Sequence, residues 1–259
     1  MAGPGIAVHH LVEGPADGPV VVLAHSIGTD HRVWDAQVAP LVGAGLRVVR
    51  YDHRGHGASP APPGPYAIAD LGADVLALLD ALDVEAASVV GISLGGMVAL
   101  WLGVHAPARV DRLVACCTSA RIDPPDLWVQ RAAIARRDGM DALVDSILPR
   151  WVTPAFAQGH PEAMARLRAM VRATPGEGYA GCAEAIAAMD QTADLGRIRA
   201  PTLVVGGGQD VATPPAEHSA PIAAAIPGAR LEVVDAAPHL ASVERPDDVT
   251  RLVLEHLGA

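Results

Sequence analysis

The chain has no lysine. All nineteen of its basic residues are arginine, and acidic residues outnumber them for a formal net charge of −10. That balance argues against nucleic acid or an anionic membrane surface as the main partner, because either demands a basic face. Aromatic residues make up only 3% of the chain, so a core must be built from Ala, Val, Leu and Ile. Cysteine is scarce too. Cys116, Cys117 and Cys182 are an odd set with no Cys-x-x-Cys spacing, which excludes a disulfide framework and fits a reducing compartment. Cys116 and Cys117 lie in an apolar run, where free cysteine packs as a small hydrophobe. No apolar run reaches the roughly 18 residues of a spanning helix. No basic segment followed by an apolar stretch opens the chain, so no signal peptide is read and a cytoplasmic location is expected.

The chain does have 259 residues, 51% of them hydrophobic, enough for one large domain with a sizeable core. Short Val-rich runs bounded by turn residues read as buried parallel strands over 20–25 and 46–51, with further strands over 88–92 and 110–117. Helical spacing covers 30–42, 66–82 and 93–105. In the second of these, apolar residues recur at 68, 71, 75, 78, 79 and 82, along one face of a helix. Alternating strands and helices imply a parallel sheet covered on both faces. From 122 to 192 the alternation stops. Helical stretches over 126–138, 139–148, 161–173 and 179–189 are separated by prolines. The alternation then resumes with strands over 202–206 and 230–234 and helices over 216–226 and 246–257. The expected organisation is a core of 1–121 and 193–259 with a helical cap, 122–192, inserted in it.

The run Ser88-Val89-Val90-Gly91-Ile92-Ser93-Leu94-Gly95-Gly96-Met97 carries the chemistry. A β-branched strand breaks into Gly-x-Ser-x-Gly and continues as an apolar helix, the pattern of a sharp turn holding a serine nucleophile at its tip. Gly91 and Gly95 supply the room that the turn needs. In such sites the orienting acid and then the base follow the serine along the chain. The strand ending near 206 leads into Gly207-Gly208-Gln209-Asp210, which nominates Asp210. The loop after the strand ending near 117 offers no acid. The last strand leads into Pro238-His239, which nominates His239 as base. An oxyanion hole needs a second N–H from the loop after the early strand, so the backbone N–H groups of Ile27 and Leu94 are the candidates. Ser26 either lines the site or satisfies the turn. The polar stretch 51–59 is expected to buttress these loops. Gly206-Gly207-Gly208 opens no dinucleotide fingerprint, there is no phosphate-cradling Lys motif, and His9-His10 has no diagnostic metal spacing. No cofactor and no metal is expected.

With Ser93, Asp210 and His239 in place, the chain resembles the α/β-hydrolase superfamily over nearly its whole length. Within that superfamily it resembles the 3-oxoadipate enol-lactonases. Matching stretches include Ser26-Ile27-Gly28-Thr29-Asp30, and the narrower ones are Ala61-Pro62-Pro63-Gly64-Pro65-Tyr66, Trp101-Leu102-Gly103-Val104-His105-Ala106-Pro107 and Thr174-Pro175-Gly176-Glu177-Gly178-Tyr179. Two departures stand out. His25-Ser26 replaces the usual Asn-Ser, and Ile92 and Leu94 stand where Leu and Met are typical.

The resemblance implies an α/β fold with a mostly parallel central sheet, helices on both faces and a helical lid after the sixth strand. It also implies hydrolysis of a carboxylate-bearing five-membered enol-lactone in aromatic catabolism, the β-ketoadipate pathway. The substrate's carboxylate calls for a specific donor rather than a general field, since 122–192 holds seven arginines against nine acids. Arg131 is the candidate, with Trp128 and Trp151 walling the pocket. Other readings keep the serine site and change its use: another carboxylesterase or lactonase, a C–C bond hydrolase, a cofactor-free perhydrolase, or a ligand sensor on the same fold.

Overall fold

The computed structural model describes residues 5–259. In chain order its main elements are β1 (His10–Glu13), β2 (Val20–Ala24), α1 (Asp35–Gly43), β3 (Arg47–Tyr51), α2 (Ile68–Ala81), β4 (Ala87–Ile92), α3 (Leu94–His105) and β5 (Val110–Cys116). Then follow α4 (Asp126–Asp138), α5 (Val144–Ile147), α6 (Pro154–Gly159), α7 (Pro161–Ala173) and α8 (Gly176–Ala188). The chain closes with β6 (Thr202–Gly207), α9 (Ser219–Ala225), β7 (Arg230–Val234), α10 (Ala241–Glu244) and α11 (Pro246–Leu257).

The seven strands form one sheet in the order β1-β3-β2-β4-β5-β6-β7, parallel except for β1. The Val-rich runs become the central strands because both their faces are covered. Val21, Val22, Leu23, Val89 and Val90 are all buried. From β2 the chain steps one way to β3, then back past β2 to β4 and onward to β7. With right-handed crossovers, that reversal puts α1 on one face and α2, α3 and α9 on the other. α11 returns to pack against α1, and α2 packs against α3. The apolar stripe of α2 buries Ile68, Leu71, Val75, Leu78 and Leu79.

The reversal also makes a topological switch point. The loops after β2 and β4 leave adjacent strands for opposite faces and open a crevice at the strands' C-terminal ends, where ligands of open α/β sheets bind.

The structure differs from the sequence reading in several places. The inserted helices follow the fifth strand of the described residues, not a sixth, because only one antiparallel strand, β1, precedes β2. The helix expected over 139–148 is broken into α5 and two 3-10 turns, Met140–Ala142 and Leu148–Arg150. Gly139, at φ +77°, ends α4, and Pro149 lacks the N–H that a continuing helix would need. The helix expected from residue 30 begins as a 3-10 turn, His31–Trp34, capped by the Asp30 carboxylate on the Arg32 N–H. α8 starts three residues earlier than expected, just after Pro175.

Candidate active site

Ser93 sits between β4 and α3 with φ 56° and ψ −117°. A non-glycine residue in that region costs about 1–3 kcal/mol and persists only where its surroundings over-determine it. They do so here. The Ser93 N–H donates to the Cys116 carbonyl at 3.0 Å, and the Ser93 carbonyl accepts from Thr118 Oγ1 at 2.6 Å. The flanking glycines are needed for close approach. A Cβ on Gly91 would lie 2.1 Å from the Gly95 carbonyl oxygen, and one on Gly95 would lie 2.2 Å from that of Ala24. The elbow is therefore packed directly against the C-terminal end of β2.

Ser93, His239 and Asp210 form one hydrogen-bonded chain. Ser93 Oγ lies 2.9 Å from His239 Nε2, and His239 Nδ1 lies 2.8 Å from Asp210 Oδ2. The three residues are separated by up to 146 positions in sequence, and each enters the crevice from the end of a parallel strand. All three are buried. Burial alone would raise the Asp210 carboxyl. The facing His239 ring, together with the Thr213 N–H and hydroxyl, outweighs it and holds the carboxyl at about 2. An ionised Asp210 fixes the proton of His239 on Nδ1 and leaves Nε2 as the acceptor facing Ser93. Thr213 is absent from the sequence-derived set, although its position three residues after the acid was a readable turn signal.

Leu94 follows Ser93 at the N-terminus of α3, and Ile27, in the loop after β2, lines a cavity together with Ser93. Neither backbone N–H donates to any acceptor among the described residues. The neighbouring N–H groups do: Gly28 to His56 Nε2 at 2.9 Å, and Gly95 to the His25 carbonyl at 3.0 Å. Both the Ile27 and Leu94 N–H groups are thus left without a protein acceptor among the described residues.

A cavity of about 300 Å³ opens over Ser93 and His239. Trp128 and Arg131 from α4, and Trp151 from the turn after α5, all line it. Arg131 is 9% exposed. Its guanidinium carbon lies 5.2 Å from the centre of the Trp128 ring, and the buried Tyr179 lines the same cavity. No carboxylate pairs with it among the described residues. The surface arginines of the same segment are engaged: Arg136 with Glu177 and Glu184, Arg168 with Asp145, Arg172 with Asp141. Arg150 also lines the cavity without a carboxylate partner among the described residues, but it is only half-buried and donates to the Val211 carbonyl at 3.2 Å; Arg131 is the buried one of the two.

Ser26 is a correction. It is fully buried, does not line the cavity, and its Oγ has no hydrogen-bond partner. Its carbonyl is the group in use, as the acceptor of the turn. The sequence reading missed Tyr179 and His218 on the cavity wall. Tyr179 stands in the quoted Thr-Pro-Gly-Glu-Gly-Tyr stretch. His218 is oriented by Ser119 Oγ, 2.8 Å from its Nδ1 and 99 residues away in sequence, a pairing no local pattern announces.

Outside the cavity, His9, His31 and Asp52 bring three ligand-type atoms within 4.8 Å. Both Asp52 oxygens are filled: Oδ1 by the His31 N–H and Nδ1, Oδ2 by His9 Nδ1 and the Ala58 N–H. The cluster ties the residue before β1, the turn after β2 and the stretch 51–59 together. Cys117 and Cys116 are buried free thiols. Contact with Cys116, then burial, pushes the Cys117 thiol up, so it is inert as a nucleophile.

The alpha/beta hydrolase fold family matches residues 19–246. The chain is 37% identical to 3-oxoadipate enol-lactonase 2 of Acinetobacter baylyi, over 93% of this chain and 89% of that protein. Among solved structures, the enol-lactonase from Burkholderia xenovorans LB400 superposes with a TM-score of 0.94 at 41% identity, covering 97% of this chain and 96% of that one. A thermophilic esterase from Thermogutta terrifontis, solved with malate bound, gives 0.90 at 30% identity, covering 96% of this chain and 92% of that one.

Proposed function

The chain belongs to the alpha/beta hydrolase fold family, and we propose that within it the protein is a serine hydrolase that opens 3-oxoadipate enol-lactone to 3-oxoadipate in aromatic catabolism. Residues 122–192 act as the cap over the site. The reading rests on one observation above the others: the buried, unpaired Arg131 guanidinium shares a cavity with Ser93 and His239. A cation held without a counter-ion suits a substrate that brings its own carboxylate. The identity to enol-lactonases in both sequence and structure supports the same substrate class.

In the proposed reaction, the lactone carboxylate pairs with Arg131 and its carbonyl carbon comes to Ser93 Oγ. His239 Nε2 takes the serine proton as Oγ attacks. The oxyanion is held by the Ile27 and Leu94 N–H groups, and Asp210 stabilises the imidazolium. The ring C–O bond then breaks, and His239 returns the proton to the departing enolate oxygen. The enol stays tethered to the acyl chain and tautomerises to the ketone. Water, deprotonated by His239, attacks the acyl carbonyl. Serine leaves with the returned proton, and a dicarboxylate is released. One water is consumed and no cofactor enters.

The test is consumption of the enol-lactone, generated in situ by an isomerase, by the purified protein and by Ser93→Ala. Fast loss that vanishes in the variant is the expected result. No loss by the wild type, with Ser93-dependent cleavage of p-nitrophenyl acetate, would leave an esterase and remove the lactonase reading.

A further inference from the structure

The loops after β2 and β3 bring together three buried imidazoles. His25, His53 and His56 are all buried, with His25 ring centroids 4.4 Å from His53 and 5.4 Å from His56. None of these rings hydrogen-bonds to Ser93 or His239, and the proposed reaction does not use them. Two of them bond the backbone on either side of Ile27, His25 at the Ser26 carbonyl and His56 at the Gly28 N–H, and His53 braces His25.

A trans peptide unit is planar, so its C=O and N–H point in opposite directions. Holding one end aims the other. The Ile27 N–H shares its peptide unit with the Ser26 carbonyl. That carbonyl receives three donors: His25 Nδ1 at 2.7 Å, Thr29 Oγ1 at 2.7 Å and the Thr29 N–H at 3.2 Å. The Thr29 hydroxyl also lies 3.2 Å from His25 Nδ1, closing the cluster. The next unit is clamped from the other side, since the Gly28 N–H donates to His56 Nε2 at 2.9 Å. With both neighbouring units fixed, the Ile27 N–H has one direction left.

The imidazoles can do this only as neutral rings in one tautomer each, and the contacts assign that tautomer. His25 donates from Nδ1 to Ser26 and accepts at Nε2 from the His53 N–H at 2.9 Å. His53 donates from Nε2 to the His25 carbonyl at 3.0 Å and accepts at Nδ1 from the Tyr51 hydroxyl at 3.2 Å. His56 accepts at Nε2 from Gly28 and donates from Nδ1 to the Arg54 carbonyl at 3.2 Å. One proton per ring satisfies every ring nitrogen. Burial, the largest influence on each ring, also favours the neutral form.

We infer that His25 and Thr29 are positioning residues that aim the Ile27 N–H at the oxyanion by holding the far end of its peptide unit. The inference rests on the proposed role of Ile27. It gives His25 a task at the position where the enol-lactonase pattern has Asn, another side chain with an N–H to offer the same carbonyl.

The experiment compares wild type, Thr29→Val, Thr29→Ser and Ser93→Ala on p-nitrophenyl acetate. It also measures binding of phenylboronic acid, which forms a tetrahedral anionic adduct on serine, and of adipate, a saturated dicarboxylate that makes no such adduct. A donor displaced by an ångström or less costs about 10- to 100-fold in rate. Thr29→Val is expected to lose that factor in kcat and in boronate affinity, with KM and adipate affinity within twofold of wild type. Thr29→Ser, which keeps the hydroxyl, restores both. Thr29→Ala replaces the valine variant if that does not fold. Wild-type kcat in Thr29→Val, or equal losses for boronate and adipate, would overturn the inference. Turnover that survives in Ser93→Ala would instead overturn the serine reading beneath it.

Discussion

Arg131→Met is the substitution that most sharply separates substrate recognition from catalysis. Arg131 is 9% exposed, its guanidinium carbon lies 5.2 Å from the centre of the Trp128 ring, and it has no carboxylate partner among the described residues. In the free protein its burial is a cost with little return. Desolvating an unpaired cation costs several kcal/mol, whereas proximity to an aromatic ring returns about 0.5–2 kcal/mol. Methionine fills similar volume without the charge, so the melting temperature of the variant should hold or rise. With the carboxylate-bearing lactone bound, the balance inverts. Removing one partner of a buried charge pair costs about 2–5 kcal/mol, or roughly 30- to 5000-fold in kcat/KM. An uncharged ester makes no such pair, so kcat/KM for p-nitrophenyl acetate should change by less than about threefold. Paired measurements of kcat/KM on both substrates, with a thermal melt, decide the matter. An equal loss on both substrates, or a fall in melting temperature that accounts for the lost activity, would refute the carboxylate role.

Three further outcomes follow from the same geometry. Gly95→Ala puts a Cβ 2.2 Å from the Ala24 carbonyl oxygen and 2.5 Å from its carbon. Both are backbone atoms that cannot yield, so urea denaturation should show a loss of about 3 kcal/mol, and wild-type stability would contradict the packing. Asp210→Asn keeps the shape but removes the charge that sets the His239 tautomer, so kcat should fall about 10⁴-fold with little change in the melting temperature. Stability should also depend on acid. Burial lowers His25 and His53 and takes His56 from 6.5 to about 3, against the opposing pull of Asp52 and Asp30. The unfolded chain takes up protons below pH 6.5 that the folded rings refuse, so each such histidine removes up to about 1.4 kcal/mol per pH unit as pH falls from 6.5. A stability flat between pH 6.5 and 4.5 would contradict the neutral assignment.

Much of the scaffold was legible because its central strands are buried on both faces and therefore written as Val-rich runs. The bounds of β7, α4, α7 and α11 coincide with those expected from spacing alone. β1 was not legible. It is a short, half-exposed edge strand, His-Leu-Val-Glu, with no alternation to mark it. The break of 139–148 into turns depended on how Gly139 and Pro149 were weighed against an apolar run. For the site, chain order and the position of each residue after a strand brought Ser93, Asp210 and His239 to notice, and the fold brings their side chains together. Arg131, Trp128 and Trp151 were picked from the inserted segment and do face the cavity. Ser26 does not, because the turn uses its carbonyl and buries its hydroxyl. What escaped is non-local: His218 with Ser119, and the three imidazoles behind Ile27. Their roles depend on which ring nitrogen meets which backbone group, and that follows from the folded loops rather than from spacing.

The central claim is that Ser93 forms a covalent acyl intermediate with the lactone. Rapid mixing of the wild-type protein with enol-lactone, acid quench and peptide mass analysis tests it directly. The account predicts a transient adduct of the full substrate mass on the peptide containing Ser93, absent in Ser93→Ala. Rapid lactone opening that leaves no adduct at Ser93, and that persists in Ser93→Ala, would contradict it.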